Sequence, residues 1–546
     1  MVEKQKKTKR TAKKKIDRLF MQFCYILGII ITIGIGITAF IFTYYYTDQY
    51  FGNKEVVNLR VDNILLNILG TIIFLMIIYI VKNIIKKIPN KILIAVTTIL
   101  IMLISTGIVF FIKFTPRADQ ECMIYAATEF MKGTYDWLDA GNYLHRFPYQ
   151  LGFVYLVETI FRMFNSQSPL LLQCMNVICI GTIVILLYNF TNKMFKDDNT
   201  NKIFCILMLG FLPIMFFSTF VYGNIIGLMF SLMAMLCILI YRENRKIRYL
   251  ILSSASIGVG IILKSNYQIF LIGMEMLFLL DFIENKDKKI FVGTILSIIC
   301  VIVFPKLVYL YTENRTGKEV TDGVPMISYI QMGLKDGDGQ GKMAGWYDGS
   351  VVEIYEDNQC DSKKAAQISI DILKDILKDF ANHPTKMIKV LAEKIGTSWL
   401  EPNYQTIWTN KPPQNSNEMS DEIKNNKILF SFFVGTLSKA YTGYNNIYQI
   451  IIFFSAGLCL VVSFRKITVE KVSLIIMVIG GFLLHLIWET KAYYVLPYYL
   501  LLVPYAANGL RIGFEKIKKQ CYNLSKRKKL QGGYKERDGN NKNIME

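Results

Sequence analysis

Histidine is scarce, with three in 546 residues, and no Cys/His spacing of the zinc-binding kind occurs. Cysteine is little more informative. Most of the ten lie inside apolar runs, where a thiol behaves as a small hydrophobe. Cys122 and Cys360 fall outside those runs and would tie two polar segments together if they paired, but spacing sets no connectivity. The first apolar run is too long for a leader's h-region and lacks a small-residue cleavage site, so it is expected to remain as a helix. The inverted or parallel repeats of many transporters are missing as well.

What the chain has is apolar length. At 53% hydrophobic residues with 36 Phe and 32 Tyr, it is too apolar for one soluble globule of this size. Runs of membrane-spanning length recur. They predict an all-α polytopic membrane protein with about twelve transmembrane helices, near 19–45, 61–82, 91–113, 169–192, 202–221, 223–242, 247–263, 266–283, 289–311, 444–464, 471–487 and 492–510.

The net charge of +20 is unevenly placed. Residues 1–18 hold nine Lys/Arg against two acids, and 511–546 hold eleven against four, whereas 312–427 hold fourteen against eighteen. Short basic segments such as KNIIKKIPNK and YRENRKIR separate the helices. Basic segments stay cytoplasmic, so both termini are expected inside, and the loop 114–168 and the segment 312–427 outside. The basic tails suit anionic lipid, and nucleic acid is not an expected partner. The organisation is then a basic tail (1–18), an N-terminal helix pair (19–90), a membrane core (91–311), an outer segment (312–427), closing helices (428–510) and a second basic tail (511–546).

The loop 114–168 is polar and aromatic-rich, and opens on Asp119 at the membrane edge. An ionisable group there is a functional candidate. Glu121, Trp137, His145, Arg146 and Tyr149 follow it. Within this loop, 148–164 is apolar on one side and carries Glu158 and Arg162, which predicts a helix lying at the interface. Apolar residues at helical spacing predict a second amphipathic helix over 365–380. The Gly-rich stretch GLKDGDGQGKMAGWYDG predicts a loop.

PRADQECMIYAATEFMKGTY followed by YLHRFPYQLG resembles the first outer loop of the GT-C polytopic glycosyltransferases. It is most similar to the bacterial family-39-like branch, relatives of the protein O-mannosyltransferases and of the lipid A aminoarabinose transferase. The likeness continues in STFVYGNIIGL, VPMISYIQMGL, NHPTKMIKVLAEKIGTSWLEP and HLIWETKAYYVLPYYLLLVPYAANGL, and covers roughly 100–510. It implies a GT-C-like fold with two sizeable extracytoplasmic segments. It also implies a polyprenyl-phosphate sugar donor and transfer to a glycan, lipid or protein acceptor on the outer face. Asp119 stands where the family keeps its catalytic acid, and Gln120 stands where it often has a second one.

The chemistry asks for a carboxylate to take the acceptor proton and a cation to hold the departing phosphate. Asp119 fits the base, with Glu121 as an assisting carboxylate. Lys264, Arg117 and Arg146 are the phosphate candidates, because Arg offers a planar fork and Lys a point charge. Asn224, Tyr222, His145 and Tyr149 are assigned to substrate binding. Two carboxylates without a second acidic motif make a poor cage for a divalent ion, so no cofactor and metal-independent transfer are expected.

Trp346, Tyr347, Trp399, Glu401 and Trp488 read as interfacial or packing residues. Glu489 and Lys491 read as a local pair, His383 as a turn residue and His485 as a packing residue. The competing class is a transporter or flippase for a lipid-linked glycan. The long outer segments favour the enzyme.

Overall fold

The computed structural model describes residues 2–47, 55–337, 342–411, 414–415, 418–433 and 435–542. Residues 338–341 of the Gly-rich loop lie outside them. The protein is a bundle of long apolar helices with a polar layer on one end. It is multi-pass by composition: among the described residues nine helices are long and apolar enough to cross a membrane, or ten if one bent pair is a single span.

The expected count of twelve is not confirmed among the described residues, and each difference has a local cause. The run read as 202–221 is two helices, Asp198–Gly210 and Leu212–Phe216, with a 55° bend. Pro213 in the first turn of the second helix cannot donate to the turn before it. The run near 247–263 forms Arg248–Leu263, too short to count as a full span. The run read as 492–510 divides into Ala492–Leu500 and a helix that begins at Val503.

The first helix ends at Ile41 rather than 45. Residues Phe42–Thr47 form a strand paired antiparallel with Val56–Val61. The stretch FTYYYT is aromatic and β-branched, which suits a pleated ribbon as well as an apolar run. The hairpin packs on the segment 312–427, with the Tyr44 amide donating to the Leu400 carbonyl at 3.1 Å. Tyr46 lies stacked between Trp346 and Trp408.

Both amphipathic helices form, as Leu151–Phe164 and Ser362–Asn382. The first buries Phe153, Val157 and Phe161 and leaves Met163 and Phe164 exposed. Its Glu158 is buried and held from two sides. Arg315 donates to both carboxylate oxygens at 2.7 and 2.6 Å, and Arg162 donates to Oε1 at 2.9 Å. This triad ties the end of the Ile290–Thr316 helix to the helix beneath the polar layer. Cys122 and Cys360 are both free thiols.

Candidate functional site

Four chain reversals meet at the polar end of the bundle: the start of Asp119–Lys132, the turn before Asn224, the break at Lys264 and the turn after Ile487. The meeting depends on close backbone approach. Gly223 has φ +78°, and a Cβ there would stand 2.3 Å from the Leu263 carbonyl oxygen. Only glycine fits, so Tyr222 and Lys264 are pressed together by the backbone itself.

Asp119 opens its helix behind Ala118, which has φ +52° and ψ −124°. This conformation is costly for a residue with a Cβ, and such positions collect at functional sites. Two contacts of Gln120 hold the strained turn. Its Nε2 donates to the Thr409 carbonyl at 2.6 Å, and its Oε1 accepts from the Val221 amide at 2.7 Å. The residue that interrupts the two acids is thus a buried clamp between three segments. Asp119 itself is exposed to the cavity, and its Oδ2 accepts from the Tyr222 hydroxyl at 2.8 Å. Tyr222 in turn accepts from Gln150 Nε2 at 3.0 Å.

The Lys264 ammonium lies 3.4 Å from the centroid of the same Tyr222 ring. Lys264 is 6% exposed, and no carboxylate among the described residues lies within ion-pair distance of it. Burial pulls its pKa down to about 7, partly offset by the charges of Asp119 and Glu489. A buried cation without a salt bridge is costly unless an anion completes it.

Two adjoining cavities surround these groups. One, of about 240 Å³, is lined by Asp119, Arg117, Lys491 and aromatic side chains that include Phe220, Tyr347 and Trp408. The other, of about 400 Å³, is lined by Lys264, Ser265 and Asn266, and on its apolar side by Ile269, Ile272 and Leu484. Ile272 is half exposed and belongs to a helix long and apolar enough to cross a membrane, so the apolar side of this cavity is built on a candidate membrane span. Tyr149, Tyr222, Tyr329, Glu489 and Tyr494 line both.

Of the nine residues singled out in the sequence, the structure brings Asp119, Arg117, Lys264, Tyr222 and Tyr149 to these cavities. Arg117 lies over the Trp408 ring at 4.0 Å. The other four line neither cavity. Glu121 pairs with Lys411 at 3.0 Å, and at two residues' separation it points about 200° around the helix from Asp119. The two carboxylates therefore do not converge on one ion. Among the described residues no group of three His, Cys, Asp or Glu is placed to hold a metal. Arg146 pairs with Glu356 at 2.5 Å. His145 packs on Tyr355. Asn224 is buried, with its backbone carbonyl accepting from the Tyr267 hydroxyl.

Glu489 does not pair with Lys491, as the local spacing suggested. Lys491 bonds Glu55 of the hairpin, which also accepts from Gln405 at 2.5 Å. Glu489 is 7% exposed and accepts from the Tyr494 hydroxyl at 3.1 Å. Burial raises its pKa to about 7. Lys394 fixes the same turn by donating to the Trp488 carbonyl at 2.9 Å, and His485 Nδ1 bonds the Glu489 carbonyl at 3.1 Å. Glu401, also buried, caps the loop that carries Trp408 and Thr409 by accepting from the amides of Asn403 and Gln405.

A comparison with curated proteins finds no match. Among solved structures the chain is similar to the archaeal oligosaccharyltransferase AglB from Archaeoglobus fulgidus, determined in complex with an inhibitory peptide and a dolichol-phosphate. The identity is 15% and the TM-score 0.42, over 81% of this chain and 52% of that one. This chain spans about half the length of that protein. Residues 150–309 match the sequence model of the dolichyl-phosphate-mannose-protein mannosyltransferase family. The match covers less than a third of the chain, on a mostly helical frame of apolar helices long enough to cross a membrane, and is a likeness to that family of membrane glycosyltransferases.

Proposed function

We propose that the protein transfers a sugar from a polyprenyl-phosphate donor to an acceptor hydroxyl at the outer face of the membrane. The observation that carries this reading is Lys264: a buried ammonium without a salt bridge, one tyrosine ring from an exposed carboxylate, beside a cavity whose apolar side is built on a candidate membrane span. The lipid phosphate completes the Lys264 charge while the prenyl chain runs along Ile269 and Ile272. The acceptor enters through the aromatic cavity, where Asp119 stands. Its oxygen attacks the anomeric carbon, Asp119 takes the hydroxyl proton, and the bond from that carbon to the phosphate oxygen breaks. The polyprenyl phosphate leaves with the electron pair, paired with Lys264.

The outer location rests on the Lys/Arg asymmetry of the chain. The acceptor is a glycan, lipid or protein hydroxyl of the cell envelope. Purified protein, radiolabelled polyprenyl-phosphate hexoses and envelope fractions as acceptors test the reading. Label is expected to move to an acceptor from at least one donor. Failure with every donor would overturn it.

A further inference from the structure

The two cavities meet at five side chains, and one of them is a carboxylate that the transfer step leaves unused. We infer that this junction is the subsite for the transferred sugar and that Glu489 reads its ring hydroxyls, selecting a neutral sugar over an acidic one. The inference rests on the glycosyltransferase reading. In that reading the sugar must bridge the lipid phosphate in one cavity and the acceptor in the other, so it occupies the volume whose lining they share.

The residues there suit a neutral sugar. Tyr149, Tyr222, Tyr329 and Tyr494 supply aromatic surface and hydroxyls, with Tyr149 and Tyr329 meeting hydroxyl to hydroxyl at 3.3 Å. Glu489 is more than nine-tenths buried. One of its oxygens accepts from Tyr494, and the other takes no protein donor among the described residues. That oxygen is not among the fully buried unpaired atoms of the described residues and opens to the cavities, where sugar hydroxyls are donors of the right kind. The turn is built to hold it there, since Lys394 and His485 fix the backbone on either side. Asp119 lines one of the two cavities with Glu489, so an acidic sugar would meet two carboxylates, while of the cations there Lys491 is paired with Glu55, Arg117 lies over Trp408 and Lys264 is taken by the lipid phosphate. That discriminates against uronic acids by like-charge repulsion.

The test takes the polyprenyl-phosphate hexose that the purified chain transfers best, its monodeoxy forms and the corresponding uronate. With the unaltered chain, at least one deoxy donor is expected to lose about 10- to 100-fold in kcat/KM, the scale of a hydrogen bond to a charged group. The uronate is expected to be rejected. E489Q is expected to lose a similar factor with the full sugar and to no longer distinguish that deoxy donor from it. A flat deoxy series, free use of the uronate, or an E489Q chain with unchanged kcat/KM would each overturn the subsite. If E489Q fails to fold, the deoxy and uronate series on the unaltered chain decides alone. D119N separates the two readings: loss of transfer in D119N with a flat deoxy series removes the sugar subsite and leaves the glycosyltransferase. No transfer by the unaltered chain removes both.

Discussion

Tyr222 donates its hydroxyl proton to Asp119 across 2.8 Å, joining segments 103 residues apart in the chain. The same ring supports Lys264, so one side chain orients a carboxylate by its hydroxyl and a cation by its face. The two roles are separable. Tyr222→Phe removes a hydrogen bond to a carboxylate, worth about 1.5–3 kcal/mol, and keeps the ring. Steady-state kinetics are expected to show kcat lowered about tenfold or more with donor KM nearly unchanged, whereas Tyr222→Leu should raise donor KM too.

Donor capture should depend on pH through Lys264. Burial lowers its pKa to about 7, with Asp119 and Glu489 as the facing acids. The ammonium is therefore present below that range and lost as pH rises through it, so kcat/KM for the donor should fall above about pH 7. An arginine stays charged throughout. Lys264→Arg should flatten that alkaline limb, and Glu489→Gln, which removes one of the facing acids, should keep the limb but move it to lower pH. An alkaline limb that persists in the arginine variant would assign the titration to another group.

The Glu158 triad gives a stability prediction. Removing one partner of a buried, doubly bonded charge costs about 3–5 kcal/mol, whereas Arg162 is half exposed and its ion pair is worth at most about 1 kcal/mol. Thermal unfolding in detergent should show Arg315→Ala lowering Tm far more than Arg162→Ala. Equal shifts would mean that the bidentate pair carries no special weight.

Orientation is open to direct labelling. Thiols introduced at the exposed positions Asp139 and Lys374 should react with an impermeant reagent on intact cells, and thiols at Arg527 or Lys528 should not. Labelling of the tail from outside would turn the cavities to the cytoplasm.

The sequence carried the bundle because apolar runs of spanning length are a strong signal, and the charge asymmetry grouped the loops that meet at the site. Asp119, Tyr222 and Lys264 stand out in the sequence for that reason: each follows the end of a predicted run. The signal failed where partners are remote. Glu121, Arg146 and Lys491 are answered by Lys411, Glu356 and Glu55, at separations of 290, 210 and 436 residues. Glu489 reads as half of a local pair because Glu55 lies beside a strand pair, only the start of which overlaps a predicted helix end. Gln120 read as an interruption between two acids, and only the fold shows it clamping the turn beneath Asp119.

The central claim is that Asp119 takes the acceptor proton. Asp119→Asn keeps the shape and the hydrogen bond from Tyr222 but removes the base. Transfer from the polyprenyl-phosphate donor by purified protein should fall by about 10²–10⁴-fold, while donor binding, carried by Lys264, persists. An Asp119→Asn chain that transfers sugar at close to the unaltered rate would contradict the account.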